Sequence, residues 1–410
     1  MSNDISIDNM MQKALEIPGL LSLAAGFTDN KLAARAHVRA LCDELLSSDD
    51  HNEVLQYGLP IGRRALREQL AQRLVKQDRD TGASPPSIGA DETIITTGSQ
   101  QALFLAVQAL CQPGDIILVE HPTYFVMLDV LRTLGVRAVA LPSKNDSLDV
   151  DALDAFFQEL KENGDFDRVR SVYVISYFSN PSSKSLSLEQ KLGLLEKMRA
   201  HALHVPVIED IAYREFYFGE PLPVPSMLAW DTPEIPIFVT GTLTKLFSTG
   251  LKVGWFTIRD EKLRQRLIDL KRCQDFGTSN FTQAICELAI ERGILDAYLD
   301  EVRPLYHAKA EALSSGLREN GLEELGWSWE PAGGALYLWL RAPEGIETGP
   351  SSELSRTCLE EKVIYVPGEL CTPNGGRERA RLSFGSLSPE ELKEAARRFA
   401  VAAKRVAEAG

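Results

Sequence analysis

The protein is 410 residues long, with 44% hydrophobic and 25% charged side chains, a composition typical of globular proteins. At roughly 150 residues per domain, this length predicts two or three compact units. Lysine and arginine number 44 against 58 acidic residues, so the net charge is −14. This acidic balance argues against a nucleic acid or an anionic membrane surface as the main partner.

The N-terminal stretch has no basic region followed by an apolar core, so no signal peptide is expected. The longest uncharged stretch lies between Glu92 and Asp115, and its polar residues and proline argue against a membrane span. The six cysteines include no CxxC pair, and the six histidines form no metal-ligand pattern. We therefore expect a cytoplasmic protein with reduced thiols and no bound metal.

Short β-branched runs alternate with longer helical patterns over the first two thirds of the chain. This alternation predicts an α/β fold with a mostly parallel seven-stranded sheet that is covered on both faces. The predicted strands are Thr93–Thr97, Ile116–Glu120, Arg137–Leu141, Val172–Tyr177, Val205–Glu209, Ile235–Thr240 and Gly254–Ile258. The predicted helices between them include Gln100–Cys111, Ala152–Lys161, Leu188–Ala202 and Glu261–Cys273.

The pattern changes after about Thr282, where a long helix-compatible stretch runs to Leu317. Predicted strands follow at Trp327–Trp339, Val363–Val366 and Ala380–Phe384. We therefore expect an N-terminal segment (1–50) that packs with the small domain, a large domain (51–285) and a small C-terminal α+β domain (286–410). In open α/β sheets ligands bind beyond the carboxyl ends of the strands, so the functional residues are expected there.

The first strand is followed by Gly98-Ser99-Gln100, which opens a predicted helix. The backbone N–H groups at such a helix start, together with a hydroxyl, favour a bound anion and suit a phosphate group. The alternative is an ordinary serine N-cap.

Two further strand ends carry ionisable residues. Asp210 follows a buried strand and needs a partner, because an unpaired buried carboxylate is costly. A protonated heterocyclic nitrogen would serve, and a structural ion pair is the alternative. Lys245 follows the next strand among hydroxyl and apolar residues, where a lysine can lose its proton and attack a carbonyl. The alternative for Lys245 is a surface lysine.

Taken together and in this order, these motifs resemble those of the class I/II aminotransferases, which are fold-type I enzymes dependent on pyridoxal 5′-phosphate (PLP). The resemblance runs from Ser22-Leu23-Ala24-Ala25-Gly26 to Arg381-Leu382-Ser383-Phe384, and it is strongest to the branch of 2-aminoadipate and kynurenine aminotransferases. It implies a large PLP-binding domain, a smaller domain and a homodimer. The substrates it implies are amino and keto acids of amino-acid metabolism or biosynthesis.

The resemblance also implies roles for single residues. Lys245 would hold the cofactor as an internal aldimine, a Schiff base, and would shuttle the α-proton. Asp210 would pair with the pyridinium nitrogen. Tyr213 and Asn180 would bind the phenolic oxygen of the ring, and Tyr124 would stack on the ring face. Lys245, Asp210 and Tyr213 are therefore the predicted catalytic residues.

The remaining implied residues surround the phosphate and the substrate. Tyr57 matches a tyrosine that reaches the phosphate bound by the neighbouring subunit, so shared active sites are implied. Arg381 would bind the substrate α-carboxylate as a planar fork, with Asn180 and Gly26 also touching the substrate. The residues implied around the phosphate are Gly98, Ser99, Gln100, Thr242, Thr244 and Lys252.

The sequence departs from the family pattern in four places. Thr242 and Thr244 stand where the family has two serines before the lysine. Lys252 stands where the family has an arginine, so a point charge replaces a bidentate fork. The family's Asn-Pro-x-Gly turn ends here in Ser183, and the missing glycine leaves room for a different local backbone. The usual Gly-x-Pro reads Gly26-Phe27-Thr28.

These departures keep a second enzyme class open beside transamination. A PLP-dependent γ-replacement enzyme, lyase or C–C bond-forming enzyme would use the same cofactor on an amino acid with a γ leaving group. A third reading is a non-enzymatic regulator, since relatives of this fold occur fused to winged-helix DNA-binding domains. The start of the aminotransferase-like region near Ser22 and the acidic charge argue against that reading.

Overall fold

The computed structural model describes residues 17–47 and 53–409. The predicted boundary between residues 50 and 51 lies outside this part of the chain, as do residues 1–16 of the predicted N-terminal segment. Among the described helices, none has the length and apolar character needed to cross a membrane.

Strands and helices alternate along most of the described chain. The strands are β1 (Leu21–Ser22), β2 (Thr93–Thr97), β3 (Ile116–Val119), β4 (Arg137–Ala140), β5 (Ser143–Lys144), β6 (Ser147–Leu148), β7 (Val169–Ile175), β8 (Val207–Asp210), β9 (Ile237–Thr242), β10 (Val253–Thr257), β11 (Tyr337–Arg341), β12 (Val363–Ile364), β13 (Val366–Pro367) and β14 (Arg379–Ser383). The α-helices are α1 (Arg35–Ser47), α2 (Arg64–Asp80), α3 (Gly98–Leu110), α4 (Phe125–Thr133), α5 (Leu153–Glu162), α6 (Leu188–Ala200), α7 (Glu261–Asp275), α8 (Asn280–Glu291), α9 (Ile294–Glu319), α10 (Glu353–Glu360) and α11 (Pro389–Ala409). Short 3₁₀ helices lie at Phe166–Arg168, Met227–Trp230 and Gly368–Cys371.

Seven strands form the central sheet in the order β2-β10-β9-β8-β7-β3-β4. Only β10 runs antiparallel to its neighbours, and the pairs from β9 to β4 are parallel. Alternating side chains pack on opposite faces: Ile94 and Ile117 join the apolar cluster of α3, α4 and α7, whereas Ile95 and Leu118 join that of α2 and α6. The predicted α/β fold with a mostly parallel seven-stranded sheet is confirmed.

The C-terminal part contains a second, antiparallel sheet of β11, β14 and β13, beside which α9 and α11 pack on each other. The helix-compatible stretch from about Thr282 to Leu317 is helical but divided in two, because Gly293 adopts a positive φ of 68° and separates α8 from α9. The predicted strand Trp327–Trp339 is wrong. It begins only at Tyr337, after Gly333-Gly334.

The carboxyl ends of the central strands meet at one edge of the sheet. Asp210, the last residue of β8, lies in register with Thr240 of β9. Gly254 of β10 lies opposite Thr96 of β2 on one side and Thr242 of β9 on the other. The loops that follow β2, β8 and β9 therefore converge, and they contain the residues on which the sequence analysis focused.

Candidate active site

Lys245 lies three residues after β9, and its side chain is partly buried at the convergence of these loops. Its Nζ donates a hydrogen bond to the Gly26 carbonyl oxygen at 2.6 Å. Burial lowers the pKa of Lys245 to about 8, and the charges of Arg381 and Lys252 contribute to this shift. An amine with this pKa is neutral in a useful fraction of molecules near neutral pH, so Lys245 can act as a nucleophile or a base.

Asp210 is buried, and its charge is not matched by a neighbouring cation. Its carboxylate accepts hydrogen bonds from the Ala212 N–H at 2.9 Å and the Tyr173 hydroxyl at 3.2 Å. No side chain in the described part of the chain forms an ion pair with it, and burial raises the pKa of Asp210 to about 6. The neighbouring Glu209 forms the buried ion pair instead, with Lys191 at 3.0 Å. The ion-pair alternative therefore describes Glu209 and not Asp210.

Arg381 of β14 is 1% exposed and has spare hydrogen-bonding capacity. Its guanidinium donates to Asn180 Oδ1 at 2.9 Å and to the Ala24 carbonyl at 2.6 Å. Its Nε has no hydrogen-bond partner within the described residues. The guanidinium also lies 4.5 Å from the ring centre of Tyr337 and 5.1 Å from that of Phe125. A buried cation without a carboxylate partner suits an anionic group of a ligand.

The turn that holds Asn180 keeps a conformation normally given to glycine. Ser183 has a φ of 57°, in the left-handed region. Its N–H donates to the Ser179 carbonyl at 2.6 Å, and its Oγ donates to the Tyr337 carbonyl at 2.7 Å. Ser183, which stands where the family has a glycine, thus takes a left-handed conformation that favours glycine, and it adds a hydrogen bond to β11.

The start of α3 leaves several polar groups without partners among the described residues. The helix begins at Gly98 with Thr97 as N-cap, and no side chain caps it, so the serine N-cap alternative for Ser99 is wrong. The Oγ1 of Thr244 is buried without a hydrogen-bond partner in the described residues, and a Cβ on Gly98 would lie 3.7 Å from it. Uncapped N–H groups and an orphaned hydroxyl at a helix N-terminus fit a phosphate. The second predicted hydroxyl, that of Thr242, accepts from the Thr244 N–H at 3.1 Å.

Gly254 brings this helix start against the sheet, a role that the sequence analysis missed. A Cβ on Gly254 would lie 2.3 Å from the carbonyl carbon of Gly98 and 2.5 Å from the Ser99 nitrogen. No other residue type allows this approach. The sequence feature that could have indicated this close approach is a glycine within a predicted strand, directly before a tryptophan.

Tyr213 lies three residues after Asp210, and its hydroxyl forms a hydrogen bond with the hydroxyl of Tyr337. Its hydroxyl oxygen is 2.8 Å from that of Tyr337. Burial raises the pKa of Tyr213 well above its ordinary value, so its phenol stays protonated and can donate. Tyr124 lies just before α4, and burial raises its pKa, with smaller contributions from Tyr337 and Asp210.

Three predicted residues lie at the outer side of the site. Gln100 and Lys252 are exposed, and Lys252 adopts a φ of 56°. Tyr57 is 85% exposed and packs its ring edge-to-face on Phe276 at 6.0 Å. No hydrogen bond within the described residues joins Gln100 or Tyr57 to Lys245. The structure thus leaves Gln100, Lys252 and Tyr57 exposed, whereas the other predicted site residues are buried or partly buried.

The comparisons with known proteins agree with this geometry. Residues 19–399 match the family described as aminotransferase class I and II. The chain is 31% identical to 2-aminoadipate transaminase from Thermus thermophilus, covering 96% of this chain and 92% of the relative. It is 30% identical to aromatic-amino-acid aminotransferase 1 from Thermococcus litoralis, covering 95% and 89%.

Among solved structures, the α-aminoadipate aminotransferase of Thermus thermophilus, complexed with N-(5′-phosphopyridoxyl)-L-leucine, superposes with a TM-score of 0.83. It is 28% identical, and the match covers 99% of this chain and 96% of that one. None of these proteins favours the γ-replacement or lyase alternative. The chain therefore belongs to the class I and II aminotransferases, and it is a PLP-dependent aminotransferase of fold type I.

Proposed function

We propose that this aminotransferase works by ping-pong transamination of an α-amino acid with a keto acid, and that Lys245, Asp210 and Tyr213 act directly on the cofactor. The observation that carries the proposal is a set of three buried polar groups that the described residues leave unsatisfied. Asp210 has no cation, Thr244 Oγ1 has no partner, and Arg381 Nε has none among the described residues. A pyridine nitrogen, a phosphate and a carboxylate would satisfy these three groups respectively.

When bound, PLP supplies a carbonyl that takes up the amino group and a ring that withdraws electrons from the α-carbon. Lys245 would bind the cofactor covalently through Nζ and then move the α-proton with the same atom. Asp210 would hold a proton on the ring nitrogen, because a buried carboxylate with no cation among the described residues is stabilised by pairing with a pyridinium. Tyr213 and Asn180 would donate to the phenolic oxygen, and Tyr124 would cover the ring face.

Arg381 would orient the substrate by binding its α-carboxylate, and Gly26 would let the substrate pass close to the backbone. Arg381 already donates a hydrogen bond from Nη1 to Asn180 Oδ1, and this bond fixes the two side chains relative to each other. The phosphate would be held at the start of α3 and by a further group of residues. These residues are Gly98, Ser99, Gln100, Thr242, Thr244 and Lys252.

We also propose a homodimer in which Tyr57 reaches the site of the neighbouring subunit. Support comes from an exposed apolar patch: Leu55, Tyr57, Leu59 and Phe276 are 71%, 85%, 63% and 55% exposed. A patch of large apolar side chains on a surface is typical of an interaction site. Mixing a Tyr57→Ala variant with a Lys245→Ala variant tests sharing, because one hybrid site would then be intact. Failure of the mixed subunits to regain activity would count against shared sites.

The finer assignments are also part of this proposal. We propose the division into residues 1–50, 51–285 and 286–410, although α8 runs across residue 285. All six cysteines are unpaired, which supports a cytoplasmic enzyme of amino-acid metabolism. The names of the relatives make 2-aminoadipate and aromatic amino acids the first substrates to try.

The deciding experiment follows the cofactor through one half-reaction. The purified PLP-loaded enzyme is mixed with each amino acid of a broad panel, without a keto acid. We expect pyridoxamine phosphate to accumulate, and added 2-oxoglutarate or another keto acid to reverse it. Mass spectrometry measures both cofactor forms. PLP that persists beside a changed amino acid would contradict transamination of that substrate.

A further inference from the structure

Tyr337 of β11 lies inside the site, although the sequence analysis gave it no role. Its side chain is 2% exposed, and its hydroxyl oxygen is 2.8 Å from the Tyr213 hydroxyl oxygen. The two rings meet edge-to-face, with centres 6.0 Å apart and planes at 87°. A Cβ on Gly26 would lie only 2.7 Å from the same Tyr337 hydroxyl oxygen. The glycine therefore leaves the space that this hydroxyl occupies.

The position of Tyr337 is fixed by its strand. Trp339 lies opposite Arg381 in the register, and Tyr337 lies opposite Ser383, so Tyr337 is a diagonal neighbour of Arg381 on one face. The Arg381 guanidinium stands 4.5 Å from the ring centre of Tyr337. The Tyr337 carbonyl accepts the hydrogen bond from Ser183 Oγ. Packing on one side and a hydrogen bond on the other thus hold the phenol toward Tyr213.

We propose that Tyr337 is a positioning residue that donates its hydroxyl proton to Tyr213, so that Tyr213 donates its own proton to the phenolic oxygen of the cofactor. The inference rests on the role proposed above for Tyr213. A phenol has one proton, so if Tyr213 donates to the cofactor, Tyr337 must be the donor within the pair. Hydrogen bonds that run in one direction polarise one another, which makes Tyr213 a stronger donor to a negative oxygen.

The groups around the Tyr213 hydroxyl agree with this direction. Burial, with the phenols of Tyr337 and Tyr124, raises the pKa of Tyr213, whereas the charge of Arg381 lowers it. The net effect is a pKa well above the ordinary value. Tyr213 therefore has a proton to give across the neutral range. Within the described residues, the Tyr337 hydroxyl has no hydrogen-bond partner other than Tyr213.

The test is Tyr337→Phe in the PLP-loaded enzyme, because this change removes one oxygen and keeps the ring beside Arg381. We expect the pH midpoint of the cofactor's visible absorption to rise by about half to one pH unit, since the negative phenolic oxygen loses support. We expect kcat to fall about 3- to 10-fold, with KM changed by less than about twofold. Tyr365→Phe is the matched control: Tyr365 is as buried, but its hydroxyl bonds Ser355 and the Thr348 carbonyl. It should leave the midpoint unchanged.

Tyr213→Phe and the double variant separate the outcomes. Tyr213→Phe alone should raise the pH midpoint. In the double variant, Tyr337→Phe should cause no further rise. If Tyr213→Phe shifts the midpoint and Tyr337→Phe does not, the inference fails while the role of Tyr213 stands. If Tyr213→Phe has no effect, the role proposed for Tyr213 fails as well. Additive shifts in the double variant would also overturn the inference.

A second substitution tests the same proposal even if the Tyr337→Phe variant does not fold. Incorporation of 3-fluorotyrosine at position 337 keeps the size of the ring and makes its hydroxyl a better donor. The pH midpoint of the visible absorption should then fall below that of the unmodified enzyme. A midpoint that stays the same or rises would overturn the inference.

Discussion

Replacing Asp210 with asparagine should stabilise the cofactor-free protein above about pH 6, although it should destroy cofactor chemistry. In the folded protein burial raises the pKa of Asp210 from 3.8 to about 6. Because the folded state holds the proton more tightly than the unfolded state, stability is lost as the pH rises from about 3.8 to about 6. The charged carboxylate therefore costs roughly 3 kcal/mol at neutral pH, at about 1.4 kcal/mol per pKa unit.

Asparagine keeps the shape and one acceptor oxygen but carries no charge. The amide nitrogen replaces the oxygen that accepts from the Tyr173 hydroxyl, so that bond reverses direction at a cost of at most about 1 kcal/mol, and the expected net gain is about 2–3 kcal/mol at pH 8. The measurement is urea unfolding of both cofactor-free proteins from pH 4 to pH 8, at one protein concentration. The advantage of Asp210→Asn should shrink toward pH 4, where the native carboxyl is protonated.

Glu209→Gln is the control, because Glu209 is the neighbouring buried carboxylate and it has a cation. Its partner Lys191 has a side chain that is 0% exposed. Removing the charge of Glu209 leaves that lysine unpaired, which should cost roughly 3–5 kcal/mol. Equal stability of Asp210→Asn and the parent protein at pH 8, or an advantage that persists at pH 4, would refute the argument that an unmatched buried charge strains this site.

The remaining predictions concern the cofactor and the substrate. Lys245→Ala should abolish covalent attachment without unfolding the protein, and a borohydride-fixed label found by peptide mass spectrometry on another lysine would contradict this. Arg381→Ala should weaken amino-acid binding by roughly 2–5 kcal/mol, measured by spectral titration of the loaded enzyme. Arg379→Ala on the same strand, whose ion pair is with Asp146, should not weaken it. Lys252→Arg should slow PLP loss on dialysis if the arginine forms a bidentate bond to the phosphate, worth roughly 1–3 kcal/mol. An unchanged rate of PLP loss would mean that the phosphate site fits Lys252 and gives an arginine no bidentate contact.

Much of the site could be predicted from sequence because its ionisable residues follow strands. Asp210 ends β8 and Lys245 lies three residues after β9, and parallel strands bring such positions to one edge of the sheet. Sequence position alone could not show which of the two adjacent acids, Glu209 or Asp210, lacks a cationic partner. Adjacent strand residues face opposite sides of the sheet, and only the packed structure shows that Glu209 is the one that forms an ion pair with Lys191.

The rest of the site depends on contacts between distant parts of the chain. The Tyr213–Tyr337 bond joins residues 124 positions apart, and neither residue alone carries a signal for it. The conformation of Ser183 is likewise set by bonds to its own turn and to β11, which overcome the ordinary preference of serine. Sequence patterns report local preference, and these features are decided by tertiary packing.

The pairing of β1 with β12 affects how the protein is made on the ribosome. Leu21 lies in register with Val363, and Arg381 bonds Ala24 from 357 positions further along the chain. The backbone that receives the hydrogen bond of Lys245 at Gly26 therefore cannot be set in place until the last strand has emerged. At roughly 5–20 residues per second, the N-terminal residues wait on the order of 20–70 s for their partners. The large sheet can form during synthesis, but the cofactor pocket is completed only after translation is nearly finished.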